Sequence, residues 1–291
     1  MQITPRIHAL RLPFQVRMPS GIALERFVYV YLIYGKRITL IDTGVRGSKD
    51  PIFAYIRSTG RDPSEIEQII LTHSHPDHIG AAREIQERTG CTVAAHPAER
   101  DWIEDVNFQE RERPVPGFKT LVGGSVPVDT LLPDSSRIHP EHAGTLRVIH
   151  TPGHSAGSIS LLHKEEGALF SGDAIPLPGD IPIYDDPGAL VRSIHILRDI
   201  PDLCWLLSAW DEPQKGSRAY ERMDAGIGYI GKIDTAVKKA AGAGPAPSPH
   251  ELAARILASL GIPAAAANPL VARSFIIHLT ADNPGGSGSQ G

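Results

Sequence analysis

The sequence predicts an α/β fold with a polar site at the ends of its strands. Short apolar runs indicate strands, amphipathic segments between them indicate helices, and His and Asp residues directly follow several of the strands. Open α/β sheets usually bind ligands in the loops at the carboxyl ends of their strands. We therefore expect the chemistry of this chain in those loops.

The strongest signal is the segment from Leu71 to Gly80, which reads LTHSHPDHIG. The apolar residues 69–71 predict a short buried strand, and Pro76 ends it because proline has no N–H for a β-ladder. The residues after His78 predict a helix that stops near Gly90. Three histidines and one aspartate thus lie on a loop that leaves a strand.

The spacing of these residues favours metal binding. His73 and His75 point the same way in an extended segment and can bind one ion together, while Asp77 and His78 can reach a second point nearby. Imidazole and carboxylate are the usual ligands of zinc and of similar first-row metals. The alternative is a solvated, His-rich surface loop. It is the weaker interpretation, because four candidate ligands follow directly after an apolar strand.

The rest of the chain alternates between the two kinds of element. Further strands are predicted at 7–12, 27–34, 37–41, 91–95, 145–149, 158–162, 168–171 and 203–207, and helices at 51–58, 188–200, 216–241, 248–260 and 269–279. Residues 99–140 interrupt this pattern with a helix and irregular loops, and they predict either a lid over the site or a packing insertion.

Other polar residues also follow predicted strands. Asp42 either caps the next segment or orients a metal-bound histidine. His154 lies on a loop after a Thr-Pro-Gly turn, and Asp173 follows the strand at 168–171. His96 and His150 are expected to be structural rather than ligands.

Four sequence blocks together resemble the metallo-β-lactamase-fold superfamily. They are IDTG at 41–44, the H-x-H-x-D-H signature at 73–78, TPGHSAGS at 151–158 and FSGD at 170–173. Their order is that of the family, and they lie within residues 25–215. The resemblance points to the hydroxyacylglutathione-hydrolase-like branch and implies a four-layer αββα sandwich with a C-terminal helical appendage.

The resemblance also implies a set of metal ligands. A first ion would be held by three histidines, a second ion by an Asp and a His, and Asp173 would bridge the two. The residues at these positions are His73, His75, His154, Asp77, His78 and Asp173. Asp77 would also orient a metal-bound hydroxide that attacks a thioester, a lactone or another ester. One or two divalent ions are implied, with zinc first and iron or manganese as alternatives.

The chain departs from the family pattern after the strand at 203–207. The family usually carries a G-H-G-x-P block there, whereas this chain reads SAWDEP, with Trp210 in place of the histidine. Asp211 is predicted to replace that ligand, which would favour manganese or iron. Otherwise the second metal site is weak or empty, and Asp211 caps the next helix.

Three other function classes stay open at this stage. A mononuclear iron persulfide dioxygenase on the same fold would use His73, His154 and Asp173 as its iron ligands. A non-catalytic protein would use the metal only to hold a loop. An electron-transfer role is disfavoured because no flavin-binding domain is visible.

Composition limits the partners. The chain has 291 residues, of which 41% are hydrophobic and 21% charged, with a net charge of −4. Without a run of Lys or Arg we expect a small-molecule substrate and no nucleic acid. We see no apolar segment long enough for a membrane span or signal peptide, so the expected location is cytoplasmic. A homodimer is left open.

The boundaries expected from sequence divide the chain into three parts. Residues 1–241 form the catalytic domain, residues 242–283 form a helical appendage after a Gly- and Pro-rich linker, and residues 284–291 form a disordered tail. Cys91 and Cys204 are too few for a disulfide framework, and we expect both to be reduced and buried.

Overall fold

A computed structural model describes residues 1–17, 23–242 and 247–281. Its strands are β1 (Ile7–Arg17), β2 (Ala23–Tyr34), β3 (Ile38–Ile41), β4 (Ile66–Ile70), β5 (Thr92–Ala95), β6 (Thr130–Leu131), β7 (Arg137–Ile138), β8 (Leu146–His150), β9 (Ile159–His163), β10 (Ala168–Gly172), β11 (Trp205–Ser208) and β12 (Gln214–Lys215). Its α-helices are α1 (Lys49–Ser58), α2 (Pro76–Ile79), α3 (Ala82–Thr89), α4 (Arg100–Glu104), α5 (Val106–Glu112), α6 (Phe118–Leu121), α7 (Pro187–Arg198), α8 (Ser217–Ala241), α9 (Pro249–Ser259) and α10 (Pro269–Ala281). The tail predicted at 284–291 and most of the predicted linker lie outside the described residues.

The strands form two six-stranded sheets. The first has the order β1-β2-β3-β4-β5-β6, with β3 to β6 parallel, and the second has the order β12-β11-β10-β9-β8-β7. Among the described helices, none combines the length and the hydrophobicity that crossing a bilayer requires.

Side chains that point alternately to the two faces of each sheet form three apolar layers. In β2, every second side chain packs against helices on the outer face of the first sheet, and the residues between them pack against the second sheet. The outward set is Val28, Val30 and Leu32, and the inward set is Tyr29, Tyr31 and Ile33.

The third layer covers the other face of the second sheet. Leu169 and Leu206 of that sheet share an apolar core with residues of α7 to α10. The order of layers is therefore helix, sheet, sheet, helix, which confirms the predicted αββα sandwich and its C-terminal helices.

The C-terminal helices are tied to the loop before α7. The Tyr184 hydroxyl lies 2.7 Å from Nε2 of His278, and Nδ1 of that ring lies 3.2 Å from Asp234 Oδ1. Tyr184 is 1% exposed, so its hydroxyl lies inside the protein and holds the C-terminal helices through His278. The division of the chain at residue 241 stays a prediction.

The two cysteines have different environments. Cys91 is buried, as predicted, but Cys204 is exposed, so the expectation for Cys204 was wrong. Cys204 lies in the turn just before β11 begins, where its side chain does not enter the sheet.

Truncating Phe275 in α10 should destabilise the protein. Its side chain is 0% exposed and lies in the third apolar layer, so Phe275→Ala removes contacts and leaves a cavity. We expect the free energy of unfolding in urea to fall by about 3–5 kcal/mol. Leu279→Ala on the same helix, at a position that is 36% exposed, is the control and should cost less than about 1 kcal/mol. Equal losses for the two variants would contradict this packing.

Candidate metal centre

The loop that follows β4 carries four of the predicted ligands. His75 immediately precedes the single turn of α2, Pro76 occupies the first position of that turn, and Asp77 and His78 follow within it. The His78 N–H donates to the His75 carbonyl oxygen at 2.9 Å. This tight turn brings the extended and helical parts of the loop together, whereas the sequence predicted a single helix that begins only after His78.

Three strands of the second sheet supply the remaining polar residues. Both β8 and β10 run antiparallel to β9, and β10 runs parallel to β11, so β8, β10 and β11 point the same way. Their carboxyl ends meet at one edge of the sheet. His154, Asp173 and Trp210 lie just beyond those ends.

The turn that holds His154 requires glycine at position 153. Gly153 has φ +127°, and a Cβ added there would lie 2.3 Å from the backbone nitrogen of Leu190. Its carbonyl oxygen accepts from the N–H groups of Asp185 and Asp186. The His154 loop is thus fixed against the start of α7.

A first group of donors comprises His73, His75, His154 and Asp173, whose ligand atoms all lie within 4.8 Å of one another. His154 Nε2 is 2.7 Å from His75 Nδ1 and 3.3 Å from Asp173 Oδ2, while His73 Nε2 is 3.8 Å from the same oxygen. The three histidines are buried. Residues from both sheets therefore converge on one point.

A second group shares Asp173 with the first. Asp77, His78 and Asp173 offer ligand atoms within 4.8 Å of one another. His78 Nε2 lies 3.3 Å from Asp173 Oδ1 and 3.6 Å from Asp77 Oδ2. Each oxygen of Asp173 therefore faces a different group, as expected of a bridging carboxylate.

The donor atoms themselves show that a cation fits here. His73 Nε2, His78 Nε2, Asp77 Oδ2 and Asp173 Oδ1 are buried without a hydrogen-bond partner among the described residues. Buried polar atoms in folded proteins nearly always have partners. Imidazole nitrogens and carboxylate oxygens at these positions suit zinc and similar first-row metals. The His and Asp residues form a metal-binding site.

The pKa shifts of the three histidines are consistent with a cation bound at this point. Burial lowers the pKa of His73 and His75 well below the ordinary value, so each imidazole keeps a lone pair for a cation. Burial also lowers the pKa of His154, although Asp173 partly opposes it. Burial therefore favours the neutral form of all three histidines of the first group.

The second group attracts positive charge. Burial raises the pKa of Asp77 to about 6. Burial also acts to lower the pKa of His78, but the facing carboxylates, led by Asp173 and Asp42, outweigh burial and raise that pKa well above its usual value. These carboxylates favour a proton on His78. A bound divalent ion would take the place of that proton.

Asp42 orients the loop that carries His78 through hydrogen bonds to His78 and Thr72. Its Oδ2 lies 2.8 Å from His78 Nδ1 and accepts from the Thr72 hydroxyl, and its Oδ1 accepts from the Thr72 N–H, both at 2.8 Å. With the Nδ1 proton held there, Nε2 of His78 is directed toward the metal position. Asp42 adopts φ +58°, a rare conformation outside glycine that aims this carboxylate. Of the two roles predicted for Asp42, the geometry matches the orienting one.

Glu99 joins the two ligand loops, and sequence reasoning missed it. It is 2% exposed, and its Oε2 accepts from the Ser74 N–H at 3.0 Å. Its Oε1 accepts from the Ser155 hydroxyl and the Gly157 N–H, both at 2.7 Å. Gln109 adds a 2.6 Å hydrogen bond to the Ser74 carbonyl oxygen. No spacing rule separates Glu99 from the other glutamates of its segment.

Trp210 and Asp211 do not join either group of donors. The Trp210 indole N–H donates to Asp173 Oδ2 at 3.1 Å. The Asp211 carboxylate accepts from Arg222 Nε at 2.7 Å, and it does not cap α8, whose N-cap is Gly216. The structure therefore directs Asp211 to an arginine, not to the ligand position predicted for it.

A mostly apolar cavity opens over the metal centre. His75, Asp77, His154 and Asp173 line its floor, and the walls come from β1, β2, the 99–140 segment and the loop after β10. Apolar wall residues include Phe14, Leu24, Val115, Leu121, Ile175 and Ile183. The 99–140 segment thus both packs against the ligand loop and forms a wall of the cavity.

Comparisons with known proteins agree with the fold and the site. The family model described as the metallo-beta-lactamase superfamily matches residues 23–221. A probable metallo-hydrolase of Bacillus subtilis (strain 168) is 34% identical over 188 residues, which cover 62% of this chain and 81% of the relative.

Two other likenesses are more distant or partial. A hydroxyacylglutathione hydrolase of Bartonella henselae is 28% identical over 138 residues; these cover 47% of this chain and 46% of that enzyme, about half its length. A metallo-beta-lactamase family protein from Thermus thermophilus aligns with 100% of this chain and 97% of its own, with a TM-score of 0.75 and 20% identity. At that identity the likeness shows the fold alone.

Removing the Glu99 carboxylate should weaken metal binding. Glu99→Ala leaves the Ser74 and Gly157 N–H groups without this acceptor and frees both ligand loops. We expect metal affinity, measured against a competing chelator, to fall roughly 10- to 100-fold. Glu104→Ala is the matched control, because Glu104 accepts from the Val128 N–H and Arg100. Unchanged affinity in Glu99→Ala, or an equal fall in the control, would rule out the joining role.

Replacing Trp210 by histidine should strengthen the second metal site. The indole reaches Asp173 but offers no lone pair, so Trp210→His supplies an imidazole where the second group has only three protein ligands. We expect the dissociation constant of the second metal equivalent to fall roughly tenfold in a calorimetric titration. Trp210→Phe is the control, since phenylalanine removes the N–H without adding a ligand. A second equivalent equally tight in all three proteins would contradict this expectation.

Proposed function

The chain belongs to the metallo-β-lactamase superfamily, and on that premise we propose that it is a metal-dependent hydrolase of thioesters, lactones or other esters. One observation carries the proposal. Two groups of largely buried donors share Asp173, retain atoms without partners among the described residues and line an open cavity. A metal that only held a loop would not require donors on the floor of an accessible cavity.

We assign the ligands as the sequence predicted, with the exception of Asp211. His73, His75 and His154 would hold the first ion, Asp77 and His78 would hold the second, and Asp173 lies within reach of both positions. Zinc is the first choice for this donor set, and iron or manganese suits the carboxylate-richer second group.

The bound ions supply Lewis-acid activation of a water molecule and of a substrate carbonyl oxygen. The side chains of the protein would position the water molecule and accept a hydrogen bond from it. Asp77 lines the cavity, where its carboxylate would accept a hydrogen bond from the attacking water and orient it. Asp42 keeps the Nδ1 proton of His78 in place, so that the same ring nitrogen always faces the centre.

The cavity supports small acyl substrates. Its apolar walls suit a hydrocarbon portion and remove water from the reacting carbonyl, which strengthens every electrostatic contact on the floor. The relatives with curated names include a probable metallo-hydrolase and hydroxyacylglutathione hydrolases, which supports hydrolysis as the class of reaction.

A second candidate is a mononuclear iron persulfide dioxygenase. The contact of the Trp210 N–H with Asp173 favours it, because the residue in the histidine position cannot bind a second ion. His73, His154 and Asp173 would then form a two-histidine, one-carboxylate triad. Against it, His75, Asp77 and His78 lie in the same two groups and would be left without a role.

Elemental analysis joined to a hydrolysis panel tests the proposal. The purified chain should carry one or two divalent ions and hydrolyse some thioesters, lactones or esters, and a chelator should abolish turnover until metal is restored. His75→Ala should lower kcat/KM by roughly a thousandfold or more, since metal activation contributes several kcal/mol.

His195→Ala is the matched control, because His195 lies on the exposed face of α7 and should leave turnover unchanged. One iron per chain, oxygen uptake with a persulfide and no hydrolysis would replace the proposal with the dioxygenase. No turnover of any substrate with metal bound would point to a non-catalytic protein.

A further inference from the structure

Arg113 is a buried cation without a partner among the described residues. It follows α5, is 8% exposed, and its backbone N–H donates to the Gln109 carbonyl oxygen at 2.8 Å. In the described part of the chain, no carboxylate forms an ion pair with its guanidinium group and no acceptor hydrogen bonds to it. A guanidinium group stays charged in proteins, so this arrangement leaves a buried positive charge uncompensated at short range.

The other arginines of the cavity are already neutralised. Arg26 donates two 2.8 Å hydrogen bonds to Asp180, and Arg222 pairs with Asp211 at 2.7 Å. Each of these pairs balances its own charge. Among the described cavity residues, Arg113 is therefore the arginine whose charge is left for a ligand.

The position of Arg113 directs this charge toward the metal centre. Arg113 lines the same cavity as His75, Asp77 and His154. Asp185, Glu99 and Asp77 act on Arg113 without forming an ion pair with it. Asp185 lies 3.9 Å from Arg273, and Glu99 is bonded to the ligand loops. A guanidinium group is well shaped for a planar carboxylate.

We propose that Arg113 binds a carboxylate of the substrate while the apolar walls of the cavity hold its hydrocarbon part. The inference rests on the proposed hydrolase function and narrows its substrates to acyl compounds that carry a monoanionic group. One uncompensated charge matches a carboxylate, whereas a phosphate dianion would need a second free cation.

Hydrolysis of a matched pair of probes tests the preference. The S-hexanoyl thioesters of 3-mercaptopropionate and of 3-mercaptopropionamide differ only in the charge of the leaving thiol. The wild-type chain should prefer the anionic probe, and the ratio of the two kcat/KM values should fall about 30-fold or more in Arg113→Met. Arg113→Lys, which keeps the charge but loses the bidentate geometry, should give an intermediate ratio.

Arg111→Met is the matched control. Arg111 lies in α5, the helix that Arg113 follows, with a side chain that is 65% exposed and bonded to Glu112, and its loss should leave the wild-type ratio. A ratio that does not change in Arg113→Met would overturn the inference even if both probes are hydrolysed.

A binding measurement separates this inference from the proposed function. 3-(Hexylthio)propionate and its amide have no scissile carbonyl and can be titrated calorimetrically into the metal-loaded chain. The carboxylate should bind more tightly than the amide, and Arg113→Met should abolish the difference. Failure of all turnover would sink the proposed function alone, whereas equal binding by wild type and Arg113→Met would sink this inference alone. Tighter binding of 2-(hexylthio)ethylphosphonate than of the carboxylate would overturn the choice of a monoanion.

Discussion

The largely buried carboxylate of Asp173 is the group on which the rest of the site depends. Its Oδ2 lies 3.3 Å from His154 Nε2, and its Oδ1 lies 3.3 Å from His78 Nε2, so it joins a ligand of the second sheet to one of the first. A buried carboxylate is costly unless positive charge faces it. The two sheets must therefore pack with their ligand loops at the same edge, because only there do both oxygens of Asp173 meet histidines.

Much of the fold and the position of the clustered His and Asp residues follow from local sequence signals. Two-residue alternation in β2 separates Val28, Val30 and Leu32 from Tyr29, Tyr31 and Ile33, and polar residues after apolar runs locate the ligand loops. The role of Glu99 does not follow from such signals, since it depends on how an irregular segment folds back between two loops. The exposure of Cys204 depends on a turn that lies one residue before a strand.

The substitution at Trp210 could be located from sequence, but its consequence depends on tertiary contacts. The expectation for Asp211 assumed that a carboxylate beside a missing ligand turns toward the metal. Asp211 instead forms an ion pair with Arg222 at 2.7 Å. The guanidinium of Arg26 stacks 4.1 Å from the ring centre of Trp210. The indole N–H then donates to Asp173. The neutral indole N–H of Trp210 thus stands where the family has a histidine ligand. Asp173 gains a hydrogen bond from it, but the second group of donors gains no lone pair for a metal.

The 99–140 segment couples the geometry of the ligands to recognition of the substrate. Gln109 holds the carbonyl oxygen of Ser74, which lies between His73 and His75, and Arg113 is one helical turn further along, at the end of the same helix. The Arg113 N–H bonds to the Gln109 carbonyl oxygen, so the guanidinium that we propose for substrate binding and the residue that holds the Ser74 carbonyl share one helical turn. A rigid helical turn transmits displacement better than an irregular loop does. A shift of α5 would therefore change the arrangement of the histidines and the position of the substrate together, which constrains how this segment can vary.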